Sequence, residues 1–124
     1  MAVSWEDKAM VTRLALLGAG RIGKVHAGAI AADKRAKLVA VADANEAAAR
    51  VIADSADAEV RTIDEIERSD DIDAVLICTP TNTHADLIER FSKAGKAVFC
   101  EKPIDLDIAR VRACLAVIRE TGAK

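Results

Sequence analysis

Short apolar runs and helically spaced apolar positions alternate along the whole chain. Leu14-Ala15-Leu16-Leu17 is continuously apolar and ends at Gly18, the pattern of a strand buried on both faces. From Ile22 the apolar positions step through Val25, Ala29 and Ile30, which is helical spacing, until the charged cluster Asp33-Lys34-Arg35 ends it. Leu38-Val39-Ala40-Val41-Ala42 predicts a second strand closed by Asp43. Asn45 then suits the N-cap of a helix with Glu46 in its first turn and Ala48, Val51 and Ile52 on its apolar face. A weak strand over 59–62 and a short helix over 64–68 follow.

The second half repeats the alternation. Ala74-Val75-Leu76-Ile77-Cys78 predicts a buried strand stopped by Thr79-Pro80. Leu87, Ile88, Phe91 and Ala94 form one face of a helix that Gly95 ends by accepting a positive φ. Ala97-Val98-Phe99-Cys100 predicts a fifth strand halted by Pro103, and Ile108, Val111, Leu115 and Ile118 mark a last helix ended by Gly122. Parallel strands need long connections that helices supply, so the pattern predicts βαβ crossovers and an α/β sheet covered on both faces. The expected strand order is 3-2-1-4-5, a doubly wound sheet.

Composition narrows the functions open to such a fold. The 124 residues suffice for one domain, with the pattern carried by 11–124 and residues 1–10 reading as an amino-terminal extension. Hydrophobic residues at 52% and charged residues at 31% exclude a disordered chain. Lys and Arg number 18 against 20 Asp and Glu, with the signs interspersed, and Trp5, Phe91 and Phe99 are the only aromatics. Neither a phosphate-backbone footprint nor a base-stacking platform is present, so no nucleic-acid partner is expected. Cys78, Cys100 and Cys114 are far apart with no CxxC spacing, which argues against a disulfide framework and a zinc site and for a reducing cytoplasm. No apolar run approaches the ~18 residues of a membrane helix, and no membrane partner is expected.

One turn carries the clearest chemistry. Gly18-Ala19-Gly20-Arg21-Ile22-Gly23 matches G-x-G-x-x-G directly after a predicted strand and at the mouth of a predicted helix. Gly18 permits the tight turn, Gly20 lets a pyrophosphate approach the backbone, and Gly23 lets helix and strand pack closely. The unpaired N–H groups and positive dipole end of that helix face the phosphates, with Arg21 and Ile22 in its first turn. Asp43 ends the second strand ~20 residues beyond the last glycine, where its carboxylate can accept hydrogen bonds from both hydroxyls of an adenosine ribose and repel a 2′-phosphate. Its other reading is a cap on the turn that follows. The cofactor expected from this pair of features is NAD rather than NADP.

In the expected strand order the switch point lies between strands one and four. Thr79-Pro80-Thr81-Asn82-Thr83-His84 leaves the fourth strand there, with Thr79, Pro80 and Asn82 placed to contact the cofactor; Thr81, Asn82 or Thr83 can equally serve as a helix N-cap. His84 reads either as a proton carrier beside the cofactor or as a structural hydrogen-bonding group. Glu101-Lys102-Pro103 ends the fifth strand on the same edge. Lys102 there can bond a substrate hydroxyl, partial burial lowering its pKa, or can simply stand solvated. Pro103 leaves open a cis peptide before it.

Taken together, the glycine turn, Asp43, Thr79-Pro80-x-x-x-His84, and Gly95-Lys96 followed by Glu101-Lys102-Pro103 resemble the amino-terminal Rossmann-type domain of the glucose-fructose oxidoreductase, inositol dehydrogenase and rhizopine-catabolism family. The string Gly20-Arg21-Ile22-Gly23-Lys24-Val25-His26-Ala27 is similar to that of its inositol 2-dehydrogenases. The resemblance implies an NAD-dependent dehydrogenase that removes hydride from a secondary carbinol of a cyclic polyol or sugar. It makes Lys102 the catalytic residue of this domain, adds Glu101, His84 and Lys102 to the residues around the cofactor, and implies no metal. It also implies a second α/β domain holding an aspartate and histidine acid-base pair and the oligomer contacts, so the full-length protein is expected to be a homo-oligomer. Neither that domain nor a sixth strand is expected within residues 11–124. A free-standing NAD-binding module without turnover is the alternative.

Overall fold

The computed structural model describes residues 11–124; the extension expected at residues 1–10 lies outside them. Among the described residues five strands and five helices alternate: β1 (Thr12–Leu17), α1 (Arg21–Ala31), β2 (Ala36–Ala42), α2 (Glu46–Ala56), β3 (Glu59–Val60), α3 (Ile63–Arg68), β4 (Ala74–Ile77), α4 (His84–Lys93), β5 (Ala97–Cys100) and α5 (Ile108–Thr121). Every strand pair is parallel and the order is β3-β2-β1-β4-β5, as the alternation predicts. β3 shrinks to two residues, and a register shift between Leu14 and Ala15 lets β2 carry one more residue than β1 at that point.

Strand side chains alternate between faces, so each strand feeds two cores. Ala15, Leu17, Ala40, Val75 and Ile77 pack under Ile66, Leu87, Ile88, Phe91 and Cys114 from the helices of one face. Leu16, Leu38, Val41 and Leu76 pack against Ile30, Ala49, Ile52 and Ala53 on the other. Both faces of β1 and β4 are therefore dry, which explains their unbroken apolar runs.

Helix caps are largely as expected. Asn45 Oδ1 accepts from Ala48 N at 3.1 Å, and Gly95 and Gly122 follow their helices with φ of 81° and 68°. Three helical faces differ. In α1 the residues turned inward are Gly23, Ala27 and Ile30, while Ile22, Val25 and Ala29 face outward. In α2 the buried set is Ala49, Ile52 and Ala53, with Val51 exposed. In α5 only Cys114 is fully buried, Ile118 packs partly, and Ile108 and Leu115 are exposed. Where α1 and α2 approach the sheet most closely, Gly23, Ala27, Ala49 and Ala53 occupy the seam beside Ile30 and Ile52, and the rotation this sets carries Val25 and Val51 outward. Ala94, at the end of α4, is likewise exposed.

Lys96 is buried, although lysine is ordinarily a surface residue. Its Nζ donates to the Ser69 carbonyl at 2.7 Å and the Ile72 carbonyl at 3.2 Å, satisfying the chain between α3 and β4. Replacing Lys96 by Met keeps the volume and leaves both carbonyls without their donor. The expected loss is about 2–4 kcal/mol of unfolding free energy in a urea titration; a loss below about 0.5 kcal/mol would show that the two bonds carry no net stability.

Candidate functional site

The glycine turn is packed so tightly that its geometry is set by the absence of side chains. A Cβ on Gly23 would lie 2.0 Å from the Gly18 carbonyl oxygen, and one on Gly18, whose φ is 101°, would lie 2.5 Å from the Cys78 carbonyl oxygen. A Cβ on Gly20 would meet nothing within 4 Å. Gly18 and Gly23 thus seat α1 against β1 and the end of β4, whereas Gly20 keeps clear the space in front of the helix.

α1 begins without a side-chain cap and has no acidic residue in its first turn. The first amide bonded within the helix is Lys24 N, to Gly20 O at 3.0 Å, so the earlier first-turn amides have no intrahelical acceptor. By contrast Asn45, Thr62 and Asp107 cap α2, α3 and α5 through their side chains. An uncapped helix start facing open space is an anion site by geometry and by dipole.

That start opens on a cleft of about 1280 Å³ across the carboxyl ends of the strands. Of the residues singled out in the sequence, Gly18, Gly20, Arg21, Ile22, Asp43, Thr79, Pro80 and Asn82 line it. Gly23 lies beneath the turn and acts through packing. Asp43 lines the cleft and also tightens its floor: Oδ2 accepts from Ala19 N at 2.6 Å and Oδ1 from Asn45 N at 2.7 Å. The turn-capping reading of Asp43 is therefore realised, and the carboxylate additionally ties the glycine turn to the end of β2.

In the opposite loops the structural reading of His84 and the solvated reading of Lys102 are the ones the geometry meets, and the cofactor contacts expected of His84 and Glu101 are not seen. His84 is 2% exposed and does not line the cleft. Its Nδ1 lies 2.7 Å from the Pro103 carbonyl oxygen and its Nε2 2.7 Å from that of Thr79, so the ring braces two loops and has no free nitrogen to offer a cofactor. Glu101 is also absent from the cleft wall; its Oε2 pairs with His26 Nε2 at 2.7 Å. The hydrogen bond from His26 holds the Glu101 carboxyl below its ordinary range, with Lys102 adding to the effect. Lys102 is exposed at the end of β5 and outside the cleft wall, so the expected partial burial is not met within residues 11–124. The Lys102–Pro103 peptide is cis.

None of Thr81, Asn82 and Thr83 caps α4 through its side chain. Thr81–Thr83 forms a single 3-10 turn, and Thr83 Oγ1 donates to the Pro80 carbonyl at 2.7 Å and lies 2.6 Å from Thr79 Oγ1. The sequence reading missed the far end of the cleft, where Ala44, Val60, Arg61 and Thr62 contribute. Arg61 is held there by bidentate bonds to Asp71, both 2.8 Å, which with Glu59 raise its pKa further above the ordinary arginine range. Only the weak β3 pattern pointed to this segment. Cys78 also lines the cleft, but burial pushes its thiol up to about 11, so it is no nucleophile at neutral pH.

Among the described residues no helix is long and apolar enough to cross a membrane, and no cluster of His, Cys, Asp and Glu could hold a metal ion. A doubly wound parallel sheet, a glycine turn feeding an uncapped helix at the β1/β4 switch point, and an acidic residue at the end of β2 define a dinucleotide-binding domain. The family model described as "Oxidoreductase family, NAD-binding Rossmann fold" (Gfo/Idh/MocA) matches residues 12–124, and the chain belongs to that family. The chain is 68% identical over 115 residues to the inositol 2-dehydrogenase of Rhizobium meliloti (strain 1021), covering 93% of this chain and 35% of that protein. The solved myo-inositol dehydrogenase of Corynebacterium glutamicum ATCC 13032 is 47% identical with a TM-score of 0.83, covering 90% of this chain and 34% of that one. GenD2 from gentamicin A biosynthesis, solved in complex with NAD, is 33% identical with a TM-score of 0.86, covering 90% and 32%. The chain thus spans about a third of the length of the relatives it matches.

The contrast between Gly20 and Gly23 is directly testable. Gly20→Ala places its methyl in open cleft and at an allowed φ of −80°, so unfolding stability should stay within about 1 kcal/mol of the original while NADH affinity falls. Gly23→Ala drives a Cβ into backbone and should cost several-fold more stability, read by thermal unfolding. Equal effects of the two substitutions on stability would contradict the division of roles.

Proposed function

We propose that residues 11–124 are the NAD-binding domain of a polyol dehydrogenase acting on a secondary alcohol of a cyclic polyol, with myo-inositol as the substrate and a 2-keto-inositol as the product. The observation that carries this reading is the cleft itself: an uncapped helix start, the open face of Gly20 and the Asp43 carboxylate converge on it. The 68% identity to an inositol 2-dehydrogenase supports the choice of substrate.

The residues present fit NAD. The first-turn amides of α1 supply donors for the pyrophosphate, and Gly20 leaves no Cβ in its path. Asp43 spends one lone pair of each oxygen on Ala19 N and Asn45 N, which leaves a second on each for ribose hydroxyls. A 2′-phosphate would meet that carboxylate directly, and Ala44 and Asn45 offer no guanidinium, so NAD is favoured over NADP. Thr79, Pro80 and Asn82 shape the half of the cleft nearest β4. Bound NAD would supply the hydride acceptor for the carbinol carbon, and the hydroxyl proton would pass to the aspartate and histidine pair that the family resemblance assigns to the second domain. Lys102, at the end of β5, is the residue of this domain that bonds the reacting hydroxyl and stabilises its developing negative charge. The same reading makes the full-length protein a cytoplasmic homo-oligomer whose second domain completes the substrate pocket.

Two substitutions test it in the full-length protein. Asp43→Ala should weaken NADH binding by about 1–3 kcal/mol, read by fluorescence titration, and should reduce the preference for NAD over NADP; unchanged binding, or a native preference for NADP, would remove Asp43 from the site. Lys102→Ala should lower kcat for myo-inositol far more than it weakens NADH binding, and equal losses would reassign Lys102 to binding.

A further inference from the structure

The chain has two histidines, and both grip the same three residues. His26, on α1, sets Nε2 2.7 Å from Glu101 Oε2, with the two side chains 24% and 27% exposed. The Phe99 ring meets His26 edge to face at 5.3 Å between centroids and limits the tilt of the imidazole. From the other side of the sheet, His84 on α4 lies 2.7 Å from the Pro103 carbonyl oxygen, and its second nitrogen reaches the Thr79 carbonyl. Glu101 N donates to the Ile77 carbonyl at 3.0 Å, so the segment leaves β5 already tied to β4. Lys102 is thus bracketed: the residue before it is held through its side chain and the residue after it through its main chain.

We propose that His26 and His84 are positioning residues for Lys102, clamping Glu101-Lys102-Pro103 from the two helical layers so that the Lys102 ammonium projects from a fixed backbone. The proposal rests on the reading of Lys102 as the group that bonds the reacting hydroxyl. Its physical need is plain. Lysine has four rotatable bonds and its own side chain is exposed, so backbone anchoring is the restraint this domain supplies. A displacement of about 1 Å at a reacting group can cost ~100-fold in rate. The clamp also spans the site: α1 carries the glycine turn at its start and His26 further along, while His84 joins the Thr79 loop, which lines the cleft, to the Lys102 segment.

The test uses the full-length enzyme with NAD and myo-inositol. His26→Phe keeps a ring against Phe99 and removes the bond to Glu101; it should lower kcat about 10- to 100-fold while the NADH dissociation constant stays within about 2-fold. His26→Gln, which can still donate to Glu101, should recover part of that loss. Because His26 acts through Glu101, combining His26→Phe with Glu101→Gln should cost little more than Glu101→Gln alone. His84→Gln, in a buried site, should follow the same split if thermal unfolding shows it folded; the His26 series decides the matter if it is not. A kcat unchanged in His26→Phe, or a loss matched by an equal loss of NADH affinity, would overturn the clamp and leave His26 a structural residue of α1. Lys102→Ala separates the two ideas: near-native kcat there removes the reading beneath the proposal, whereas a slow Lys102→Ala beside a native His26→Phe removes the clamp alone.

Discussion

The structure depends on the contact between the start of α1 and the turn that precedes it. Helix, turn and the end of β4 approach so closely that a methyl on Gly23 would sit 2.0 Å from the Gly18 carbonyl oxygen, and one on Gly18 would sit 2.5 Å from that of Cys78. Protein backbone cannot yield that distance without moving an element, because interiors are packed to crystal-like density. The contact therefore sets where α1 begins, how it is rotated, and which of its residues face the sheet. Ala27 and Ile30 turn inward because Gly23 does, and Val25 is carried outward with the opposite face. The same rotation brings His26 to Glu101. Asp43 then locks the arrangement from the neighbouring strand by accepting the Ala19 amide.

Around this seam the carboxyl edge of the sheet is organised by bonds between loops that are distant in sequence. His84 joins the loop after β4 to the segment after β5. Lys96 fills the same kind of role at the opposite end of β5, donating to the chain between α3 and β4. The helices behind these loops are linked by arginines: Arg90 of α4 reaches Asp64 and Glu67 of α3, and Arg110 of α5 reaches Asp86 and Glu89 of α4. These pairs are partly exposed and screened, so each is worth at most a modest fraction of the stability that the two apolar cores supply. Their effect is on geometry, holding three helices at one spacing behind the cleft.

Burial of these polar residues explains what could not be read from the chain in isolation. In the sequence His84 reads first as a structural hydrogen-bonding group, with proton carrying as the alternative, because the two roles differ only in what its nitrogens face. The faces are the carbonyls of Thr79 and Pro103, and the second of these lies beyond an entire helix and strand. Lys96 carried no local signal, since its acceptors are Ser69 and Ile72. Asp43 had two readings that seemed exclusive, and the geometry shows that a carboxylate has enough lone pairs to cap a turn and still face the cleft.

From sequence alone came the features governed by local periodicity and local backbone demands: the alternation of strands and helices, the parallel order that follows from it, the stops at Gly95 and Gly122, and the glycine turn with its acidic partner. Each rests on interactions within one element or on the handedness of βαβ crossovers, so a one-dimensional pattern contains it. Tertiary structure alone decided the rotation of α1, α2 and α5, the withdrawal of His84 and Glu101 from the cleft, and the share of the site formed by Arg61 and its neighbours. Those outcomes depend on how closely elements can approach and on which distant carbonyls need donors, and such distances exist only once the chain has closed on itself.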